Sequence, residues 1–146
     1  MGDLAYWPAA KPLSKKNKFA KNRDFIKNLD HIDQIWEKLK FKCGDTLAVC
    51  DLRGKYKEKF SYSELADLIT KVSFSFENYG LKKGDVVTVI SENSPRWLAV
   101  DQGLMRLGAI NAVRGINSPS VELDYIIGHS NSVGLIVQSK EIWLKL

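Results

Sequence analysis

The stretch Phe60-Ser61-Tyr62-Ser63-Glu64-Leu65, residues 60–65, opens the part of the chain on which the fold turns. Ser61 and Glu64 have the spacing of a capping box. The serine hydroxyl can accept from the amide three residues on, and the glutamate can reach back to the serine amide. Apolar side chains then fall at Leu65, Leu68, Ile69, Val72 and Phe76, one stripe of a helix of period 3.6. Gly80 stands just past that helix, where a left-handed residue closes the last turn at little cost. Lys82-Lys83-Gly84-Asp85 is turn chemistry, and residues 86–90 form a short strand apolar on both faces. Such a strand needs cover on both sides, as in a parallel sheet between helix layers. The unit then repeats. Ser94 and Pro95 start a second helix as N-cap and first-turn proline, Gly108 ends it, and residues 109–113 make the next strand.

Working outward from this βαβ unit, residues 30–40 predict a short amphipathic helix with Ile32, Ile35, Trp36 and Leu39 on one face. Trp36 reads as its packing anchor, and His31 falls off the stripe. Residues 46–52 and 56–61 read as two strands joined by a tight hairpin at Gly54, set apart from the parallel sheet or along its edge. The second helix carries Trp97, Leu98, Val100, Leu104, Met105 and Leu107. It is apolar over more of its girth than the first, and deeper burial is expected of it. Ser118 or Ser120 is expected to cap a third helix with Leu123, Ile126 and Ile127 inward, ending near residues 128–131 with His129 at the negative end of its dipole. Residues 133–138 predict a third parallel strand. Ser139 starts a last helix with Ile142, Trp143 and Leu146 on one side, about two turns long where the sequence ends. The expected class is α/β: an incomplete βαβ parallel sheet with helices on both faces, preceded by a short helix and an antiparallel hairpin.

The 146 residues, 45% hydrophobic and 27% charged, are ordinary for one globular domain. The net charge of +5 is unevenly spread. Lys11, Lys15, Lys16, Lys18, Lys21, Arg23 and Lys27 against Asp24 give the segment 11–27 a charge of +6, which leaves −1 for the rest. Residues 1–28 therefore read as a flexible basic leader before a near-neutral domain at 29–146. The leader suits an acidic carrier protein or an anionic membrane surface. Nucleic acid fits poorly, because only Phe19 and Phe25 interleave the lysines and no binding module follows. No signal peptide or apolar run of bilayer length is evident, so a cytoplasmic location, peripheral to membrane at most, is expected. Cys43 and Cys50 are expected to be reduced thiols, and neither histidine has metal-ligand spacing to them.

Motifs with catalytic chemistry are absent from the sequence. There is no G-x-x-x-x-G-K-[ST] loop, no glycine-rich dinucleotide turn, and no nucleophile–base pair. The loop Ser91-Glu92-Asn93-Ser94-Pro95 is where a doubly wound sheet would place a ligand. Glu92, Asn93 and Arg96 are its polar candidates, against the plainer reading that Asn93 and Ser94 shape the turn and cap the helix.

Four stretches in order carry a resemblance. Phe60-Ser61-Tyr62-Ser63-Glu64-Leu65 resembles the first core motif of the adenylate-forming superfamily: acyl-CoA synthetases, luciferases and peptide-synthetase adenylation domains. Gly80-Leu81-Lys82-Lys83-Gly84-Asp85-Val86-Val87 is similar to that family's turn into a strand. Asn93-Ser94-Pro95-Arg96-Trp97 matches a segment of its long-chain acyl-activating members, and Leu107 to Val113 falls where the second core motif belongs. Asp101-Gln102-Gly103-Leu104-Met105 and Asn111-Ala112-Val113-Arg114-Gly115 look most like the long-chain acyl-CoA and acyl-(acyl-carrier-protein) synthetases of cyanobacteria and plastids. Many fatty-acyl ligases have a proline where this chain has Arg114-Gly115, and the departure favours the carrier-protein branch.

The resemblance covers residues 30–146 and implies the opening part of the large N-terminal domain of an adenylate-forming enzyme. The whole enzyme, as the family implies, makes an acyl-adenylate from a fatty acid and ATP with Mg²⁺, then passes the acyl group to coenzyme A or a carrier protein. The family's phosphate loop, adenine and ribose motifs, hinge and catalytic lysine have no counterpart here. No catalytic, cofactor-binding or metal residue carries over, and the chain is expected to be inactive alone. The alternatives are a non-catalytic interaction module acting through the basic leader, and one half of a split acyl-activating enzyme completed by a C-terminal polypeptide.

Overall fold

The computed structural model describes residues 29–53 and 57–146. The expected leader at 1–28, with its seven basic residues, and the hairpin turn at Gly54 lie outside the described residues.

A 3₁₀ turn, Ile32–Gln34, leads into α1 (Ile35–Cys43). The tighter winding of that turn moves Ile32 off the expected stripe, and it is 65% exposed rather than packed. Trp36 is the anchor the sequence implied. It packs beside Leu65 and Ile69, and its Nε1 donates to Gln102 Oε1 at 2.7 Å. His31 is exposed. β1 (Leu47–Asp51) and β2 (Glu58–Ser61) pair antiparallel in a two-stranded sheet of their own.

α2 (Tyr62–Asn78) begins with both bonds of the capping box. Glu64 N donates to Ser61 Oγ at 3.2 Å, and Ser61 N donates to Glu64 Oε2 at 2.8 Å. It closes through Leu81 N to Phe76 O and Gly80 N to Glu77 O, with Gly80 at φ 89°. Leu65 and Ile69 on its stripe are sealed, while Leu68, Val72 and Phe76 are half-buried against the same layer.

β3 (Val86–Ile90), α3 (Pro95–Leu107), β4 (Ile110–Arg114), α4 (Ser120–His129), β5 (Gly134–Val137) and α5 (Lys140–Trp143) follow. The three strands are parallel in the order β4-β3-β5. Only Arg96 and Met105 of the 13 residues of α3 are exposed, against seven of 17 in α2, so α3 is the more deeply buried helix. Strand alternation then builds two faces. Val87 and Val89 pack with Leu104 of α3, joined by Phe76 of α2, whereas Ile90 packs with Leu123 of α4 and Ile142 of α5. Helices thus cover both faces of the central strand.

Two local expectations are corrected. Neither Ser118 nor Ser120 caps α4; Pro119 holds the N-cap position in extended backbone and offers no side-chain acceptor. In α5 only Ile142 is buried, while Trp143 is 56% and Leu146 37% exposed, because so short a helix turns a single position onto the sheet. No helix among the described residues is long and apolar enough to cross a membrane.

Candidate functional site at the carboxyl ends of the strands

β3 is followed by α3 on one face of the sheet, and β5 by α5 on the other. Neighbouring strands whose connections leave to opposite faces open a crevice at their carboxyl ends, the usual ligand position of an open parallel sheet. Here the crevice is bridged by Gln138, the residue after β5. Its Oε1 accepts from Glu92 N at 2.7 Å and from Ser91 Oγ at 3.2 Å, while its own N donates to Ile90 O at 3.0 Å. Ser91 N is held in turn by Arg114 O at 3.0 Å. A pocket of about 180 Å³ lies beside this bridge, walled by Val89, Trp97, Val100, Ile136 and Val137.

Of the three sequence candidates only Arg96 lines that pocket. Glu92 contributes its backbone amide to Gln138, and Asn93 offers its carbonyl to Arg53 of the hairpin. The Arg96 guanidinium, at the pocket wall, is held by Glu58 on β2 at 2.6 Å. Ser94 caps α3 by accepting from Trp97 N at 3.0 Å. The plainer reading of the loop is therefore the one the geometry supports. A second, wider cleft of about 460 Å³ lies between the hairpin and α3, lined by Cys50, Asp51, Arg53, Asn93 and Trp97 among others. At its rim Arg53 holds Asp51 through two side-chain bonds of 3.1 Å and its own backbone amide. The guanidinium bonds hold the Asp51 carboxyl below its usual range, and Asp51 raises Arg53 in return. Trp97 lines both cavities, and its buried Nε1 has no hydrogen-bond partner.

Sequence reading missed Gln138 and a second polar group. Trp36 reaches Gln102, whose Nε2 donates to Asp101 Oδ2 at 2.8 Å, and Asn111 Nδ2 donates to Asp101 Oδ1 at 2.9 Å. The available signal was an acid and an amide inside the well-buried helix α3, together with an amide inside an apolar strand.

In the first turn of α3, Pro95 has no amide hydrogen, and Trp97 N and Leu98 N are both taken by Ser94. No group of three or more His, Cys, Asp or Glu is gathered among the described residues. Cys43 and Cys50 are both free, half-buried thiols.

The profile of the AMP-binding enzyme family matches residues 36–145. The chain belongs to that family. Among curated relatives it is 35% identical over 115 residues to a probable acyl-activating enzyme 16 of Arabidopsis thaliana chloroplasts, covering 79% of this chain and 16% of that one. It is 33% identical over 115 residues to a chloroplastic long-chain-fatty-acid–[acyl-carrier-protein] ligase of the same plant, with the same coverage. A crotonobetaine/carnitine–CoA ligase of Escherichia fergusonii is 27% identical over 111 residues, covering 75% of this chain and 22% of the relative. The chain thus spans about a sixth of the length of the two plastid proteins. Among solved structures, the N-terminal subdomain of Klebsiella oxytoca NpsA superposes with a TM-score of 0.67 at 26% identity, covering 77% of this chain and 28% of that one. VinN superposes with a TM-score of 0.73 at 16% identity over 79% of this chain and 29% of VinN, a likeness of fold.

Proposed function

We propose that this chain supplies the opening part of the large domain of a long-chain fatty-acid ligase, working through an acyl-adenylate with a carrier-protein or coenzyme A thiol as acceptor. What supports the acyl class is the gradient of identity, 35% and 33% to the two plastid acyl-activating proteins against 27% to the carnitine ligase. The 146 residues are proposed not to form the adenylate by themselves, since Ser94 takes two of the first-turn amides of α3 and the described residues gather no group of three or more His, Cys, Asp or Glu. Their part is architectural: a capped helix pair and a parallel sheet that present the crevice bridged by Gln138.

The test is a hybrid in which residues 30–146 replace the matching stretch of the plastid acyl-carrier-protein ligase. The hybrid should release pyrophosphate from ATP and Mg²⁺ with a long-chain fatty acid, and the 146-residue chain alone should not. A folded hybrid that rejects long-chain acids would refute the acyl class. Pyrophosphate release from the chain alone would refute its incompleteness. We further propose that Lys11, Lys15, Lys16, Lys18, Lys21, Arg23 and Lys27 meet an acidic carrier protein. Binding that follows anionic vesicles instead, and vanishes when these residues are neutralised, would assign them to a membrane surface.

A further inference from the structure

We propose that the outer edge of β4, centred on Asn111, is a docking edge for an extended segment from the remainder of an adenylation domain. The inference rests on the family-based reading above and adds the surface on which that remainder seats. β4 is the outermost strand of its sheet among the described residues, paired only with β3. Ile110 N donates to Asp85 O at 2.8 Å and Arg114 O accepts from Ser91 N at 3.0 Å, both toward the β3 side. By alternation, the main-chain groups of Asn111 and Val113 then point outward, and an unpaired row of this kind is a template for another strand.

The Asn111 side chain supplies an independent sign. A carboxylate accepts only, so the bond to Asp101 Oδ1 at 2.9 Å fixes which end of the amide faces Asp101. That leaves Asn111 Oδ1 turned elsewhere, buried and without a donor. Buried acceptors in native proteins are nearly always satisfied, so this one calls for an N–H or O–H from outside the described residues. Asp101 is itself tied through Gln102 to Trp36, which locks the acceptor in place. Beside it Ile110 is 55% exposed. The other outer strand, β5, carries no such orphan among the described residues. The expected occupant is therefore extended, with a donor facing Asn111 and an apolar side chain over Ile110. Its source is indicated by the NpsA subdomain, of which this chain covers 28%.

Hydrogen exchange read on the peptide spanning β4 tests this, in the chain alone and in the hybrid ligase described above. Slowing by roughly tenfold or more in the hybrid is expected, with fast exchange in the monomeric chain. A hybrid that makes acyl-adenylate yet leaves β4 exchanging as in the chain alone overturns the docking edge and spares the functional reading. An inactive but folded hybrid with β4 protected does the reverse. Protection in the chain alone that rises with concentration assigns the edge to a second copy, and overturns the proposal. If the hybrid does not fold, the chain alone decides: slow exchange at β4 in the monomer overturns it, and fast exchange with Asn111→Ala no less stable than wild type supports it.

Discussion

The two faces of the parallel sheet are built to different densities. On one, Val87 and Val89 meet Leu104, all at 1% exposure or less, and α2 crosses α3 so closely that a Cβ on Gly103 would stand 2.8 Å from Val72 Cγ1. On the other, Leu123 and Ile142 join Ile90, while Val121 at 78% and Tyr125 at 63% on α4, and Leu144 at 72% just past α5, stay open to solvent. Burial here follows how many helical layers stand behind the strand. α3 has α2 behind it, whereas nothing among the described residues stands behind α4 and α5.

The largest expected contrast is between Leu104→Ala and Leu123→Ala. Leu104 is fully enclosed, and its truncation should cost about 4–5 kcal/mol because no neighbour can relax into the void. Leu123, under a thinner layer, should cost about 2–3 kcal/mol because α4 can shift inward. Urea unfolding of both variants checks this. Equal losses would mean that the second face is as tightly packed as the first.

The dense face is the one that could be read from residues. Ser61 and Glu64, the stripe from Leu65 to Phe76, Gly80, Pro95 and Gly108 are local signals, and each fixed an element within a residue or two. Local signals fail where geometry is set by neighbours. Ile32 kept its place in the pattern but lost it to a 3₁₀ turn, and Pro119 took the cap position expected of a serine. The candidate site was less legible still. That the loop after β3 lies at the crevice followed from the fold, yet Glu92, Asn93 and Arg96 turn to Gln138, Arg53 and Glu58, partners 38 to 46 residues away in the chain. No spacing rule links residues that meet only because two strands lie side by side.

Glycines sharpen the contrast, because the same substitution should change sign between the faces. Gly103→Ala drives a methyl against Val72 and within 3.3 Å of Ser73 N, and should cost about 1–3 kcal/mol through overpacking. Gly128→Ala in α4 meets nothing within 4 Å and should stabilise by about 0.5–1 kcal/mol through helix propensity. Thermal melts of the two variants should move in opposite directions. A destabilised Gly128→Ala would mean that α4 is held more tightly than its exposure implies.

Helix starts differ in the same sense. Ser61→Ala removes a bonded cap and should cost about 1 kcal/mol, whereas Ser120→Ala in α4 removes no cap bond and should be close to neutral. The box also carries a pH signature. The Ser61 amide, and then its hydroxyl, hold the Glu64 carboxyl below its usual range. The unfolded chain therefore takes up this proton at higher pH than the folded one does. The contribution is complete above the ordinary glutamate value of about 4.3 and fades as pH falls through the lower folded value. Glu64→Gln should be less stable than wild type at neutral pH, with the gap closing in acid. A gap that persists unchanged below about pH 3 would show that the carboxylate charge is not the source.

The smallest effects on stability belong to the open side of α4 and α5. Val121→Thr and Leu144→Gln remove apolar surface that is already mostly exposed, so each should lie within about 0.5 kcal/mol of wild type. Their consequence should appear in association instead. Exposed apolar side chains on one side of a sheet are a surface other molecules can cover, and water gains when they do. Sedimentation velocity over a range of concentrations should therefore show the double variant to be more monomeric than wild type, at equal stability. Unaltered association with unaltered stability would place the self-adhesive surface elsewhere. The unpaired edge of β4 would then be the next region to test, by Val113→Pro, which removes an outward N–H without disturbing the bonds to β3.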